Sequence, residues 1–439
     1  MPEKHILLIC PEPIRHCVQG IGIRFLEMAG ILKQDHHVTV WTCNEDIPKD
    51  RDVPLSLFPS GEAFKAEIIR TDAVIVHGHI SEQYFEAIAA YQLQAPPLIV
   101  DLYDPFLIEN LQYTEELGEQ IFYRDRAVLF KQLALGDFFL ASSEIQRMFY
   151  LGIMTGAGRI TPPVYHSDKG LYSLIGVAPF GIEPIAESKL RAMGGKLKDC
   201  IPGITGDDIV LFFGGVYDWY DPETLMNILG EVILSFPMLR VIFSVNPNQE
   251  TTPQGVFKKV RDFSDANGWI NRSVFFIPWF PYRDRFAYLR DVDIAVCLHK
   301  PSLETALSLR TRVLDYMNAG IPIIATEGGE GGRILKEAGA AVFVPPYGQD
   351  ALKRAVISLL KNKILRQSMG ESGRLWVQSN MTWRQSLLPL IEFCNAPRKA
   401  AVTAIRNDAN IGLFSLKERR FFSVLRQIVR RLKLLRWTN

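Results

Sequence analysis

The sequence predicts an α/β chain of two Rossmann-like domains, and three observations carry that expectation. Residues 291–346 alternate three short apolar runs with two stretches of helical composition, a β-α-β-α-β unit. The opening segment has the same grammar: strand His5–Cys10, loop Pro11–Gly22, helix Ile23–Lys33, strand Val38–Thr42. At 439 residues the chain exceeds one ordinary core, and 48% apolar content marks most of it as globular.

In the first half, Gly20 and Gly22 sit where a helix begins, so a backbone without side chains can approach a phosphate or a hydroxyl closely. The three-glycine dinucleotide fingerprint is missing. Further strands are expected at Ala73–Val76, Leu98–Val100, Phe138–Ala141 and Val177–Pro179, each ending in polar residues. Those ends carry His77 and His79, Asp101 and Asp104, then Ser142 and Ser143. A histidine there can carry a proton or bind a hydroxyl, although an interdomain hydrogen bond is its commoner job. Asp104, before Pro105, suits either a helix cap or acceptor binding. Ser142 and Ser143 read as a capping arrangement for helix Glu144–Leu151, since no Gly-x-Ser-x-Gly turn surrounds them.

Between Gly181 and Asp207 the sequence turns polar and glycine-bearing, which places an interdomain hinge there. The second half opens with strand Ile209–Phe213, loop Gly214–Pro222, a helix from about Glu223 and strand Val241–Val245. Strands Ile294–Leu298, Ile321–Ala325 and Ala341–Val344 follow. Helices Leu309–Ala319 and Arg333–Ala338 lie between them, closed by Gly320 and Gly339. Loops leaving the carboxyl ends of parallel strands line the ligand crevice, and here they carry Lys300–Arg312 and Glu327–Arg333. Arg310 and Arg312 entering one helix, and Gly328, Gly329, Gly331 and Gly332 entering the next, suit a bound diphosphate. Asp315, one turn inside the first helix, can accept bonds from sugar hydroxyls. The alternative is a solvated helix start with ordinary glycines.

The order of strand, PS, acidic residue, LDYMNAGIPIIAT, EGGEGG, strand and VPP resembles retaining glycosyltransferases of the GT-B fold, in particular glycosyltransferase family 4. The resemblance implies an α/β GT-B architecture, two Rossmann-like domains facing a central cleft. It divides the chain into an acceptor-side domain 1–182, a linker 183–207 and a nucleotide-sugar-binding domain 208–369. Closing helices 370–395 and a tail 396–439 complete it. It also implies that Asp315 holds the nucleotide ribose, as the family's second glutamate does. Eight positions upstream, where the first glutamate belongs, stands Leu307. The nearest acid is Glu304, so Glu304 is expected to reach the donor sugar across a small insertion. The family's arginine and lysine after the first strand of this domain are missing from GGVYDWYDPETL. Arg310 and Arg312 are expected to replace them, because a guanidinium fork binds phosphate oxygens in pairs. Gly215 and Asp218 are then donor-side residues, and Trp219 either stacks on a ring or is buried. His79 and Asp104, with Glu304, Arg310 and Arg312, make up the expected catalytic set.

The expected reaction is metal-independent transfer with retention, from a nucleotide sugar to a sugar or a lipid-linked acceptor. Asp291-Val-Asp293 spells a metal-binding DxD, but it precedes a strand and so lies at the wrong edge of the sheet. The six cysteines show no metal or disulfide spacing. The start MPEKHILLIC lacks a secretory apolar segment, which predicts a cytoplasmic protein. Lys417–Arg436 forms a basic amphipathic helix on a helical wheel, suited to the anionic inner membrane face, with docking on its own domain as the alternative. No nucleic-acid partner is expected. A non-catalytic sugar- or nucleotide-binding protein and a sugar-nucleotide epimerase are the competing functions.

Overall fold

The computed structural model describes residues 2–48, 52–59, 61–80, 96–246 and 254–400. The expected tail helix Lys417–Arg436 lies outside the described residues.

The first sheet contains β1 (His5–Ile9), β2 (His37–Thr42), β3 (Leu55–Leu57), β4 (Ala73–His77), β5 (Leu98–Asp101), β6 (Phe138–Ala141) and β7 (Ile175–Val177). Its spatial order is β3-β2-β1-β4-β5-β6-β7. The second contains β8 (Ile209–Gly215), β9 (Leu239–Ser244), β10 (Val274–Ile277), β11 (Ile294–Cys297), β12 (Ile323–Thr326) and β13 (Ala341–Val344), in the order β10-β9-β8-β11-β12-β13. The pairings within both sheets are parallel. Helices cover both faces of a parallel sheet, which is why its strands read as unbroken apolar runs. Two strands lie outside the expected set: β3, a three-residue edge, and β10, the four-residue run Val274–Ile277. The expected strand Val177–Pro179 ends rather than starts at Val177.

The strand order reverses between β1 and β4 and again between β8 and β11, and a crevice opens at each switch point. The expected helix Leu309–Ala319 is shortened to Arg312–Asn318, and a separate short helix, Leu303–Leu307, precedes it. Ser302 caps that short helix by accepting from the Thr305 N–H, and the chain leaves it extended at Ser308. That break turns Arg310 back toward Glu304.

Past the second sheet, helix Lys363–Asn380 crosses Arg312–Asn318 so closely that a Cβ on Gly370 would stand 1.9 Å from the Gly320 carbonyl oxygen. The chain then returns to the first domain. Ile182 and Trp383 exchange backbone bonds with Met381 and Ile182, Trp383 packs on Phe180, and Phe393 stacks on Phe138 at 4.7 Å. Asp291 accepts from the N–H groups of Leu197 and Lys198, and Asp293 pairs with Lys198. The DxD acids therefore pin the segment joining the two sheets.

Candidate active site

A cavity of about 660 Å³ lies between the two sheets, lined from both by loops that leave carboxyl ends of strands. On the first-domain wall, the loop after β1 is fixed by the Ile14 N–H, which donates to Thr42 Oγ1 and Asn44 Oδ1 at 3.1 and 2.8 Å. It delivers Glu12 to the cavity, where Glu12 Oε2 accepts the Gly22 N–H at 2.9 Å. Burial pushes the Glu12 carboxyl up to about 7 against that single bond. Gly20 opens helix Gly20–Leu32 at the cavity edge, and a Cβ there would meet nothing within 4 Å. Gly22, two residues on, is buried outside the cavity lining, contrary to the donor-side expectation, and a Cβ there would meet Glu12 and Val18 at ordinary contact distance.

His79 and Asp104 both reach the cavity, accompanied by Glu109 from the short helix Phe106–Glu109. Among the described residues, these three side chains form the one His/Cys/Asp/Glu group whose ligand atoms could share an ion, all within 4.8 Å of one another. Burial lowers His79 to about 4, so its ring is neutral. Burial, then repulsion from Glu304, raises Glu109 to about 7; burial and Glu109 raise Asp104 well above the carboxylate range. Behind them, Arg24 and Asp101 form a fully buried bidentate pair at 2.7 and 2.9 Å that also ties β5 to the Ala178 and Pro179 carbonyls.

The second-domain wall carries the cations. Arg312, at the start of its helix, donates Nη1 to the carbonyls of Phe213 and Gly215 at 3.0 and 2.8 Å and lies 4.3 Å over the Tyr220 ring. Among the described residues no carboxylate pairs with it. Arg310 also faces the cavity, but its fork holds Glu304, with Nη1 to Oε1 at 2.8 Å and Nη2 to Oε2. Asp315 lines the cavity and accepts from Arg285 Nε at 2.8 Å. Arg285 in turn lies over Tyr282 and Phe286 and donates to the Tyr282 carbonyl. Gly215 borders the cavity, and a Cβ there would strike Trp279 at 2.7 Å.

Three further expectations need correction. Glu304 is buried behind the cavity lining, its carboxylate occupied by Arg310 rather than open to a sugar. Asp218 also falls outside the lining: Tyr217 and Trp219 face inward, stacked at 4.9 Å, while the Asp218 carbonyl receives Lys300. Gly328, Gly329, Gly331 and Gly332 border a separate chamber of about 10 Å³, the room of one water, which shares Ser308 and Arg310 with the main cavity. Gly329 is needed there for packing, since φ is +67° and a Cβ would stand 2.6 Å from the Thr305 carbonyl oxygen. Glu12, Glu109 and Arg285 were not anticipated. Their roles arise from burial and cross-chain pairing, for which a single sequence carries no spacing signal.

Residues 258–376 match the family model of group 1 glycosyl transferases, a window that covers part of the second sheet and ends in helix Lys363–Asn380. Solved structures match over almost the whole chain. HepE of Anabaena, in complex with UDP-glucose, aligns with a TM-score of 0.63 at 15% identity, covering 90% of this chain and 100% of that one. The fold is GT-B. Sucrose-phosphate synthase from Thermosynechococcus elongatus aligns at 0.62 with 14% identity, covering 90% and 98%. A glycosyltransferase from Rickettsia africae aligns at 0.62 with 13% identity, covering 91% and 100%. No curated protein matches the sequence.

Proposed function

We propose that this chain is a glycosyltransferase that moves a sugar from a nucleotide-sugar donor to an acceptor hydroxyl with retention and without a metal ion. The observation that carries the reading is Arg312, a cavity-facing guanidinium whose bonds go only to carbonyls, at a helix start in a GT-B cleft. One unit charge 4 Å from it is attracted by about 4 kcal/mol at an effective dielectric near 20, so a diphosphate supplies what the wall lacks. Arg310 adds less field, because Glu304 already balances it. Asp315, held by Arg285, is placed for ribose hydroxyls.

In the proposed step the bond from the anomeric carbon to the diphosphate oxygen breaks as Arg312 stabilises the departing charge. The acceptor oxygen bonds to the same face, and its proton passes to the leaving phosphate oxygen. This scheme requires no protein nucleophile. The first-domain wall, where burial raises the Glu12, Asp104 and Glu109 carboxyls toward the neutral form, suits an uncharged sugar or a lipid-linked acceptor. The tail Lys417–Arg436 is proposed to hold the protein, in the cytoplasm, against an anionic membrane surface; no described helix is long and apolar enough to cross a membrane.

The test is a panel of nucleoside diphosphates in thermal unfolding, followed by nucleotide sugars with and without glycoside or lipid-linked acceptors. One diphosphate should raise the melting temperature, through preferential binding to the native state. Its sugar conjugate should then release diphosphate faster with acceptor present. Arg312→Ala should remove the protection and Arg312→Lys restore part of it. Binding without turnover would favour the non-catalytic protein, and interconversion of sugars without diphosphate release the epimerase.

A further inference from the structure

His77 ends β4 and is fully buried, yet one of its ring nitrogens is unused. Its Nδ1 accepts the His79 backbone N–H at 3.1 Å. An accepting ring nitrogen carries no proton, so the neutral imidazole has its hydrogen on Nε2. Burial, then the neighbouring His79 and Arg24, depress its basicity and keep the ring neutral. Nε2 has no hydrogen-bond partner and stands 3.9 Å from Asp104 Oδ2. A buried donor left unpaired is costly, and a small turn of the Asp104 side chain would close the gap. The Asp104 main chain is held meanwhile by Tyr150, whose hydroxyl donates to its carbonyl at 3.0 Å.

We propose that His77 is the positioning residue of the acceptor subsite: its Nε2–H takes one Asp104 oxygen when acceptor binds and turns the other toward the acceptor. Asp104 and Glu109 then hold two neighbouring hydroxyls of a sugar or polyol. The proposal rests on the glycosyl-transfer reading. The raised carboxyls favour a neutral polyol over a cation, because a protonated carboxyl both donates and accepts hydrogen bonds, as a hydroxyl ligand requires. No charge moves in this step, and the chemistry of transfer stays as described above.

The experiment uses the full chain, the donor found by the nucleotide-sugar panel, and free sugars and alkyl glycosides as acceptor probes. His77→Leu should raise the acceptor KM about tenfold or more, with donor-induced thermal protection retained. His77→Gln should recover much of the loss, since its amide N–H stands near the place of Nε2–H. On wild-type protein, the ring nitrogen NMR signals of His77 should report the Nε2–H tautomer and shift when acceptor is added. An unchanged acceptor KM in His77→Leu, the Nδ1–H tautomer, or equal losses in the Leu and Gln variants would each overturn the proposal. So would calorimetric binding of Mn²⁺ that Asp104→Asn abolishes, because the cluster would then be a metal site. A wild-type chain that turns over no nucleotide sugar removes the transfer reading itself, and this proposal falls with it.

Discussion

Glu304 and Arg310 bury opposite charges against each other in a bidentate pair, with 6% and 9% of their side chains exposed. Removing one partner from such a pair leaves an uncompensated charge in a poorly solvated place, which costs about 3–5 kcal/mol. Arg310→Ala should therefore lower stability by roughly that amount in chemical denaturation, whatever it does to ligand binding. The double variant Glu304→Leu/Arg310→Leu should recover most of it, because replacing the whole pair by apolar side chains removes both desolvation costs. If the double variant is as unstable as the single one, the pair is not what limits stability. Arg312 behaves differently. Its bonds go to carbonyls that also serve their own strand, so its replacement should weaken diphosphate binding more than folding.

At the scale of elements, glycines that look alike in sequence separate into two kinds. Gly20→Ala has open space for its methyl group at the cavity edge and no positive φ. It should leave the melting temperature nearly unchanged while reducing nucleotide-sugar affinity. Gly329→Ala must adopt a left-handed conformation and collide with the helix Leu303–Leu307, and should cost about 2 kcal/mol or more. Denaturation curves and binding isotherms for both variants read the contrast directly. The same pair explains what the sequence made legible. Most strands were readable because two-sided burial writes itself as apolar runs, and the start of helix Glu144–Gly156 because Ser143 caps it through its side-chain oxygen, whereas the Ser302 cap that starts a separate short helix was missed. A glycine cluster, however, marks either ligand approach or tight packing, and only the position of Thr305 decides between them. Asp218 was misplaced because side chains alternate around its loop, a feature that composition does not encode. Glu12 and Glu109 gain their character from neighbours far away in sequence, so no local pattern announces them.

Across the whole molecule, the two domains are joined by groups that respond to protons. Glu27, on helix Gly20–Leu32 of the first domain, faces Arg285, Asp315 and Tyr282 of the second, with Glu183 from the connecting segment. Burial, opposed by Arg285 and the Tyr282 hydroxyl and aided by Glu183 and Asp315, raises its carboxyl to about 7. A folded-state value above the unfolded one means that the native protein holds a proton that the unfolded chain releases. Its contribution is then fully present below about 4.5, is lost as pH rises toward about 7, and is flat beyond. Glu12 and Glu109 add terms of the same sign. Carboxylates held below their ordinary range, such as Asp168, weaken the fold only in stronger acid, so the two effects occupy different windows. Buried His77 and His79, held below the ordinary imidazole range, act with the opposite sign in the same window, so the reading is a difference: from pH 5 to 7 the melting temperature of the wild type should drop relative to that of Glu27→Gln. Gln19 Nε2 also spans the cleft to Asn246 Oδ1 at 3.0 Å, a contact that does not titrate in this range and leaves closure intact in the variant. Equal slopes for wild type and Glu27→Gln would mean that the junction acid is already ionised in the folded state, and the domains would then be joined by charge pairing rather than by a retained proton.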